Sequence, residues 1–210
     1  MGCRLEWLWV KVMLVNGSPH RAGCTAAALG EVAAALGEEG IETETHWLGG
    51  GPVPDCIDCR GCSRAGRCVV ADDVNELRER AAGADGFVFG TPVYYASASG
   101  RLRSFMDRLF FSDLWGGHGT FSHKPAAAVA VARRAGTTNA YDEVNKYFGH
   151  SQMPIVTSTY WNLAFGTEPG QARADAEGMR TMRNLGRNMA WLLRCIEAGR
   201  AAGVAAPEGR

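Results

Sequence analysis

Strand-like and helix-like segments alternate along this chain of 210 residues. Short apolar or alternating runs, which are typical of strands, occupy residues 10–15, 41–47, 86–90, 126–132 and 154–159. Apolar residues at spacings of three and four, which are typical of one helix face, occupy residues 25–36, 74–82, 100–111, 139–148 and 175–198. Strands that alternate with helices build a parallel sheet covered on both faces, so the pattern predicts an α/β fold.

The number and length of these segments narrow the architecture. They fit a flavodoxin-like, doubly wound, five-stranded parallel sheet of order 2-1-3-4-5. We expect a single domain over 1–210, with an N-terminal arm at 1–9, a cysteine-bearing loop at 49–72 and a frayed tail at 203–210. Ligands of such sheets bind at the carboxyl ends of the strands, so the loops after the strands form the candidate site.

Charge and hydropathy exclude some classes of partner. Lysine plus arginine and aspartate plus glutamate both number 22, so the formal net charge is zero. A sequence-independent binder of DNA or RNA needs a basic excess, so we expect no nucleic-acid partner. No run of about 18 apolar residues occurs and no cleavage site follows the apolar start, which argues against a membrane partner and a signal peptide. We therefore expect a cytoplasmic protein that acts on small molecules.

The loop after the first strand is rich in glycine and hydroxyl groups and leads into a helix. It reads NGSPHRAGCT over residues 16–25. The free N–H groups and positive dipole end of a helix N-terminus suit a phosphate, to which Ser18, Thr25 and either His20 or Arg21 can add donors. The alternative is an ordinary turn before a helix. Neither a P-loop nor a G-x-G-x-x-G motif occurs, so ATP and conventional dinucleotide binding lack support.

Three further strand ends carry aromatic or polar loops. The loop at 90–100 places Tyr94 and Tyr95 beside small residues, where they either pack on a planar heterocycle or cover the edge of the core. The loop at 133–138 either offers arginine and backbone N–H groups to a polar ring edge or is a solvated turn. With the polar segment at 160–162 after the last predicted strand, these loops favour a planar, phosphorylated cofactor.

Four of the seven cysteines lie close together. Cys56, Cys59, Cys62 and Cys68 have the spacing C-x2-C-x2-C-x5-C. In a reducing compartment, clustered cysteines are more often metal-binding or redox-active than disulfide-bonded. Soft thiolates at this density suit a [4Fe–4S] cluster. Two alternatives stay open at this point: a cluster-free loop with free, packed or occasionally oxidised thiols, and a zinc site.

Several short motifs appear in a characteristic order. They are GSP at 17–19 with CT at 24–25, DD at 72–73 after the cysteines, GTPVY at 90–94 and DR at 107–108. The YWN segment and the last helix add to the pattern. In these motifs the chain resembles the NADPH-dependent FMN reductase group of flavodoxin-like proteins and its close relatives, the iron-sulfur flavoproteins. The resemblance extends over nearly the whole chain.

This resemblance implies a bound FMN and names its contacts. The implied contacts are Ser18, His20, Cys24 and Thr25 for the phosphate, Pro92, Val93, Tyr94 and Tyr95 for the isoalloxazine ring, and Arg134, Gly136 and Thr137 for its polar edge. The same resemblance makes the four clustered cysteines candidate ligands of a [4Fe–4S] cluster.

The resemblance also implies an NAD(P)H-dependent oxidoreductase. NAD(P)H would deliver hydride to FMN, which would pass electrons to a small acceptor such as a quinone, a nitro or azo compound or a free flavin. The flavin carries this chemistry, so no catalytic side chain is required. The alternative is a non-catalytic electron-transfer protein with flavin, or with flavin and an iron–sulfur cluster. Members of the group are homodimers or homotetramers, so we expect a homo-oligomer, and the apolar residues 7–9 are a candidate contact.

Overall fold

The fold was analysed in a computed structural model that describes residues 10–208. In this part of the chain one sheet contains the strands β1 Lys11–Asn16, β2 Glu42–Trp47, β3 Gly86–Tyr94, β4 Ser97–Ala98, β5 Ala126–Ala132 and β6 Leu163–Phe165. The order is β2-β1-β3-β5-β6 with parallel neighbours, and the two-residue β4 pairs antiparallel with β3. The five parallel strands thus follow the order 2-1-3-4-5, and the predicted flavodoxin-like fold is confirmed.

Helices cover both faces of the sheet. They are α1 Cys24–Glu38, α2 Gly61–Ala65, α3 Asp73–Ala81, α4 Gly100–Trp115, α5 Thr137–His150, α6 Pro169–Ala174 and α7 Ala176–Ala201. Side chains of α1 and α7 share one buried cluster, and side chains of α3, α4 and α5 share the other. The five predicted helices are present with ends shifted by at most four residues. The two short helices α2 and α6 were not predicted.

Burial of the strands follows from their place in the sheet. Every residue of the central strand β5 is buried, because helices cover both of its faces. Successive side chains of β3 enter opposite cores: Phe87 and Phe89 join the cluster with α3, α4 and α5, whereas Val88 joins the cluster with α1 and α7. The edge strand β2 has no buried residue and carries polar side chains.

The prediction of a fifth strand at residues 154–159 is wrong. In that segment Ile155 forms an isolated bridge to β5, and the fifth parallel strand is Leu163–Phe165. Between these points the buried Asn162 side chain donates a hydrogen bond to the Ala128 carbonyl at 3.0 Å, so a side chain pairs with β5 there. The loop that reaches the carboxyl edge of the sheet therefore begins at residue 166 rather than at 160.

The predicted arm and tail of the domain lie wholly or partly outside the described residues, whereas the cysteine-bearing loop lies within them. The predicted arm at 1–9, including the apolar residues 7–9, lies outside the described residues, as do 209–210 of the tail. Residues 203–208 are exposed and form neither helix nor strand. The cysteine-bearing loop is largely exposed and contains α2. Within 10–208 no helix combines the length and apolar character needed to cross a bilayer.

Two glycines allow the ends of β1 and β3 to approach closely. The Gly17 N–H donates to the Gly90 carbonyl at 2.9 Å. A Cβ atom on Gly17 would lie 2.8 Å from Leu102 Cβ, and one on Gly90 would lie 2.8 Å from Leu29 Cδ1. Because such distances are too short for carbon atoms, glycine at both positions lets α4 and α1 pack against the strand ends. This packing sets the position of the loop after β1.

Candidate functional site

A cavity of about 780 Å³ lies at the carboxyl edge of the sheet. It is formed by the loops after β1 and β6, by the last residues of β2, β3 and β5, and by Arg133 directly after β5. Seven of the residues expected to contact a flavin line it: Ser18, His20, Cys24, Thr25, Pro92, Val93 and Tyr94. The architecture therefore brings the first predicted loop and most of the second to one cavity of a size that suits a small ligand.

The loop after β1 is held in place by its own side chains and by β2. Asn16 Oδ1 accepts the Ser18 N–H at 3.0 Å, and Ser18 Oγ accepts the His20 N–H at 3.1 Å. Trp47, the last residue of β2, donates its indole N–H to the Ser18 carbonyl at 2.9 Å. The Arg21 guanidinium lies over the Trp47 ring, with Cζ 5.8 Å from the centroid. These hydrogen bonds and the contact between Arg21 and Trp47 therefore fix the conformation of the loop.

The loop ends at the N-terminus of α1, which points into the cavity. Gly23 is the N-cap residue and supplies no side-chain hydrogen bond, and the first turn contains no acidic residue. The first N–H groups of a helix lack intrahelical acceptors and lie at its positive end, so they favour an anion. Cys24 and Thr25 open the helix beside these groups. Burial raises the pKa of the Cys24 thiol, and the charge of Glu168 adds to this effect, so the thiol is neutral here.

The carboxyl end of β3 brings an aromatic wall to the cavity. Pro92, Val93 and Tyr94 line the cavity, and Tyr94 is half exposed. Tyr95 lies at the tip of the turn between β3 and β4 with a φ of 49°, and it is fully exposed. The structure thus separates the two tyrosines, because only the first belongs to the cavity lining.

The three named contacts of the predicted third loop do not line the cavity, although its first residue, Arg133, does. Arg134, Gly136 and Thr137 are absent from the lining, and Thr137 is buried as the first residue of α5. Gly136 has a φ of 88°, and a Cβ atom there would lie 2.5 Å from Ala96 Cα. The Asn139 side chain donates to the Ala96 carbonyl at 2.8 Å. These residues therefore support the turn after β3 from behind.

Several lining residues were not among the named contacts. Pro19, Ala22, Gly23 and Arg133 belong to the predicted loops, whereas Trp47, Val131, Ala132, Gly166, Thr167 and Pro169 lie outside them. Trp47 ends β2, so the rule that ligands bind at the carboxyl ends of strands could have identified it. The residues from 166 to 169 were missed because the fifth strand was placed too early.

The four clustered cysteines share a second, small cavity. Cys56, Cys59, Cys62 and Cys68 line a space of about 30 Å³ together with the apolar side chains of Ile57, Val69 and Phe111 and with Arg108. Cys56 and Cys59 are exposed, whereas Cys62 is buried. All four thiols are free, and burial raises the pKa of the Cys62 thiol. The fold thus brings together residues that are up to twelve positions apart in the sequence.

The backbone between these cysteines wraps tightly. Asp58 and Arg60 have φ values of 48° and 56°, which is uncommon for residues other than glycine. Each lies between two cysteines, so the left-handed positions turn the chain within the two short spacings. In residues 10–208 no group of three or more potential ligand side chains is gathered as a metal would require. Binding of a metal group by the four thiols would therefore need their arrangement to change.

One face of α4 anchors the cysteine loop at three points. Arg101 donates to the Gly51 carbonyl, and Ser104 donates to the Asp55 carboxylate. One turn further, Arg108 binds the Asp72 carboxylate through both terminal nitrogens, each at 2.6 Å. Spacings of three and four place the three α4 residues on one helical face.

Arg108 is the central residue of this contact. Its side chain is fully buried. Besides Asp72, it donates from Nε to Cys68 Sγ at 3.3 Å and makes longer contacts with the Pro54 and Val70 carbonyls at 3.4 and 3.5 Å. The second residue of the motif at 107–108 thus forms a buried ion pair. No sequence pattern marked Asp72 as its partner.

Comparison with curated proteins shows similarity over nearly the full chain. An iron-sulfur flavoprotein of Methanocaldococcus jannaschii is 32% identical over 200 residues, which cover 90% of this chain and 100% of the relative. An iron-sulfur flavoprotein of Methanosarcina thermophila is 24% identical over 194 residues, which cover 91% of this chain and 99% of the relative. The similarity includes the cysteine-bearing loop, because it spans nine-tenths of the sequence.

Solved structures with low sequence identity show the same fold. RosB, solved with bound 8-demethyl-8-formylriboflavin-5′-phosphate, superimposes with a TM-score of 0.69 at 17% identity, covering 96% of this chain and 90% of RosB. The Trp repressor binding protein of Bacillus subtilis superimposes with a TM-score of 0.62 at 18% identity, covering 83% and 96%. A family model for NADPH-dependent FMN reductases matches residues 10–168, most of the chain. This protein therefore belongs to the NADPH-dependent FMN reductase family.

Proposed function

We propose that this protein binds FMN in the large cavity and uses NAD(P)H to reduce a small acceptor. The observation that carries the proposal is the uncapped N-terminus of α1, which opens into a cavity that also has an aromatic wall. Such a site offers both ends of a planar, phosphorylated ligand a complementary surface. Membership in the FMN reductase family supports FMN as that ligand, as does the flavin phosphate bound by the related fold of RosB.

The phosphate end is assigned to the loop after β1. The N–H groups at the start of α1 and the hydroxyl of Thr25 would donate to phosphate oxygens. His20 and Arg21 lie in the same loop and would add donors, with Arg21 carrying a permanent charge. Ser18 Oγ already accepts the His20 N–H, so its own O–H is available to donate.

The ring end is assigned to the carboxyl ends of β3 and β5 and to Arg133. Pro92, Val93 and Tyr94 offer an apolar and aromatic surface on which an isoalloxazine ring would lie. The segment from Val131 to Arg133 would meet the polar edge of the ring through backbone groups and the arginine side chain. Gly136 and Thr137 would act through the turn that they support. The contacts of Tyr95 and Arg134 with the ring, which the resemblance implies, would require these side chains to fold onto the ligand, because neither lines the cavity.

FMN supplies hydride acceptance and electron transfer once it is bound. The protein binds and orients it: the α1 N-terminus neutralises the phosphate charge, and the aromatic wall covers part of the ring. The cavity is open to solvent, so nicotinamide and then the acceptor can reach the ring in turn. A quinone, a nitro or azo compound or a free flavin fits this requirement, because each is a planar electron acceptor.

We further propose that the cysteine loop holds a [4Fe–4S] cluster. Four thiols line one cavity, which is the donor set that such a cluster requires. Similarity to proteins named iron-sulfur flavoproteins along nearly the whole chain supports this assignment. With a cluster present, the second candidate function is electron transfer between a flavin and an iron–sulfur centre, with a protein as donor or acceptor. Zinc and a cluster-free loop are the outcomes that metal analysis would distinguish.

The oligomeric state and the cellular location of the protein are also proposed. We propose a homodimer or homotetramer in the cytoplasm that has no nucleic-acid or membrane partner. Zero net charge supports the first exclusion, since phosphate binding along a nucleic acid needs a basic surface. Size-exclusion chromatography with light scattering would measure the oligomeric state.

Anaerobic purification of the full chain tests both cofactors. A two-band flavin spectrum that NADPH or NADH bleaches, with turnover of a quinone, supports the reductase. Reduction by a protein donor alone supports the electron carrier, and absence of flavin after reconstitution with FMN contradicts both. About four irons and four sulfides per chain would establish the cluster, whereas zinc or no metal would overturn it.

Thr25→Val should weaken FMN binding, and Ser151→Ala, outside the cavity, serves as the matched control.

A further inference from the structure

We infer that Arg108 is a positioning residue for the cluster: it holds Cys68 in place and raises the reduction potential through a hydrogen bond to its sulfur. The inference rests on the cluster proposed above. The carrying observation is the contact between Arg108 Nε and Cys68 Sγ at 3.3 Å, made by a side chain that is fully buried. Arg108 lies on α4, forty residues from Cys68, so it reaches the loop from a rigid element.

The three nitrogen atoms of the Arg108 guanidinium contact different parts of the cysteine loop. Both terminal nitrogens bind Asp72 at the end of the loop, and one of them also contacts the Pro54 carbonyl at its start. Cys68 lies between these points along the chain and receives the remaining donor, Nε–H. Because the guanidinium is planar and rigid, its two bonds to Asp72 fix the direction in which Nε–H points. The sulfur position is therefore set by a buried ion pair.

A second contact restrains the backbone of Cys68. Asn75, on α3, accepts the Cys68 N–H through Oδ1 and donates to the Cys68 carbonyl through Nδ2, both at 2.9 Å. Cys56 and Cys59 are exposed, and within residues 10–208 neither side chain has a hydrogen bond comparable to that of Cys68. Cys68 is thus the ligand candidate that the fold has placed in advance, and the exposed thiols would adjust around it.

A donor that points at a ligand sulfur favours the reduced cluster. Reduction adds one electron and breaks no bond, so the negative charge on the cluster and its sulfurs increases by one. A hydrogen bond to sulfur stabilises this added charge and raises the reduction potential. The net charge of Arg108 is largely balanced by Asp72, so the effect comes from the directed Nε–H rather than from an isolated cation.

The test compares Arg108→Lys with Arg64→Lys in the full-length protein. Arg64 lies within the same loop, on α2, but its side chain is exposed and absent from the lining of the cysteine cavity. Lysine at position 108 keeps the charge and loses the fixed Nε–H. In redox titrations followed by electron paramagnetic resonance, we expect Arg108→Lys to lower the ratio of reduced to oxidised cluster at a fixed potential by about tenfold, equivalent to 59 mV for one electron. Arg64→Lys should leave it unchanged. Equal ratios in wild type and Arg108→Lys would overturn the inference while the cluster stands.

Two measurements keep the test independent of folding and of the cluster. In reduced wild-type protein labelled with ¹⁵N-arginine, pulsed electron paramagnetic resonance should detect an arginine nitrogen coupled to the cluster. Absence of the coupling would contradict the inference even if Arg108→Lys fails to fold.

In the metal-free chain, alkylation of Cys68 should be slower than that of Cys56 and Cys59, and Arg108→Lys should accelerate it. An unchanged Cys68 rate would show that Arg108 does not hold this thiol. Absence of iron from the wild type would instead refute the proposed cluster.

Discussion

Arg108 and Asp72 form a two-bonded ion pair at 2.6 Å that closes the cysteine loop against α4. The arginine side chain is fully buried, and the aspartate side chain is 28% exposed. Asp72 also caps α3, because its side chain accepts the Val74 N–H at 3.3 Å. One carboxylate thus joins the start of a helix to the loop, which ties the position of the cysteines to the core.

Asp72→Asn should destabilise the protein by leaving the Arg108 charge without its counterion. Asparagine still caps the helix, so the change isolates the ion pair. We expect a loss of about 2–3 kcal/mol in the free energy of unfolding, below the about 3–5 kcal/mol of a fully enclosed pair because Asp72 is partly exposed. Denaturant unfolding measures it. Glu197→Gln breaks the exposed pair with Arg200, and this control should lose less than about 0.5 kcal/mol. If Asp72→Asn and Glu197→Gln lowered the free energy of unfolding equally, the prediction that the Asp72–Arg108 pair contributes more to stability would be wrong.

The same pair predicts a pH dependence of stability. Burial raises the pKa of Asp72, but hydrogen bonds from Arg108 and the Val74 N–H, with the arginine charge, outweigh it and leave the pKa below its ordinary value. A carboxyl whose pKa is lower in the folded state stabilises the fold above the pKa of the unfolded state and loses that contribution as the pH falls. Below about pH 4, wild-type stability should therefore fall more steeply than that of Asp72→Asn. Parallel pH profiles would show that Asp72 does not titrate as inferred.

Gly136→Ala should strain the support of the turn after β3. Its φ of 88° disfavours any side chain, and the new Cβ would lie 2.5 Å from Ala96 Cα. We expect a loss of about 2 kcal/mol or more in stability, together with weaker FMN binding. Gly149 lies in α5, the helix that Gly136 precedes, with open space around it, so Gly149→Ala should stabilise by about 0.4–1 kcal/mol. Thermal unfolding measures both changes in stability. If Gly136→Ala and Gly149→Ala changed the stability in the same direction, the argument from the space around each glycine would be refuted.

Trp47→Phe should weaken FMN binding without altering the fold. The change removes the indole N–H that holds the Ser18 carbonyl at 2.9 Å, and it reduces the surface under Arg21. A hydrogen bond of this kind is worth about 0.5–1.5 kcal/mol, so the dissociation constant should rise about two- to twelvefold. Quenching of flavin fluorescence measures it. Trp191 is exposed on α7, and an equal effect of Trp191→Phe would point to a global change instead.

The two adjacent tyrosines should differ in their effect on flavin binding. Tyr94 lines the cavity, whereas Tyr95 is fully exposed at the turn. Loss of one aromatic contact costs about 0.5–1.5 kcal/mol, so Tyr94→Leu should weaken FMN binding about two- to twelvefold. Tyr95→Leu should leave the affinity within about twofold, because surface substitutions have small effects. A larger effect at Tyr95 would show that this side chain folds onto the ligand.

Local patterns in the sequence were sufficient for much of the fold. The apolar spacing of β1 and of the helix from Cys24 follows from contacts within one element, so periodicity predicts both. The loop from Asn16 to Thr25 was recognisable because the chemistry of a phosphate site resides in consecutive residues. The spacing of the four cysteines is likewise a local property, and it is enough to restrict the ligand to groups that thiolates bind.

Tertiary structure decided the features that depend on distant residues. The fifth strand is Leu163–Phe165 because Asn162 and Ile155 pair with β5 in a way that no local preference encodes. The partnership of Arg108 with Asp72 and Cys68 spans thirty-six and forty residues, so only the packing of α4 against the loop brings the three together. Sequence by itself determined four of the five parallel strands, the five long helices and the loops that carry reactive groups. The folded chain decided which of those groups meet, because a site assembled from several loops depends on contacts between residues far apart in the chain.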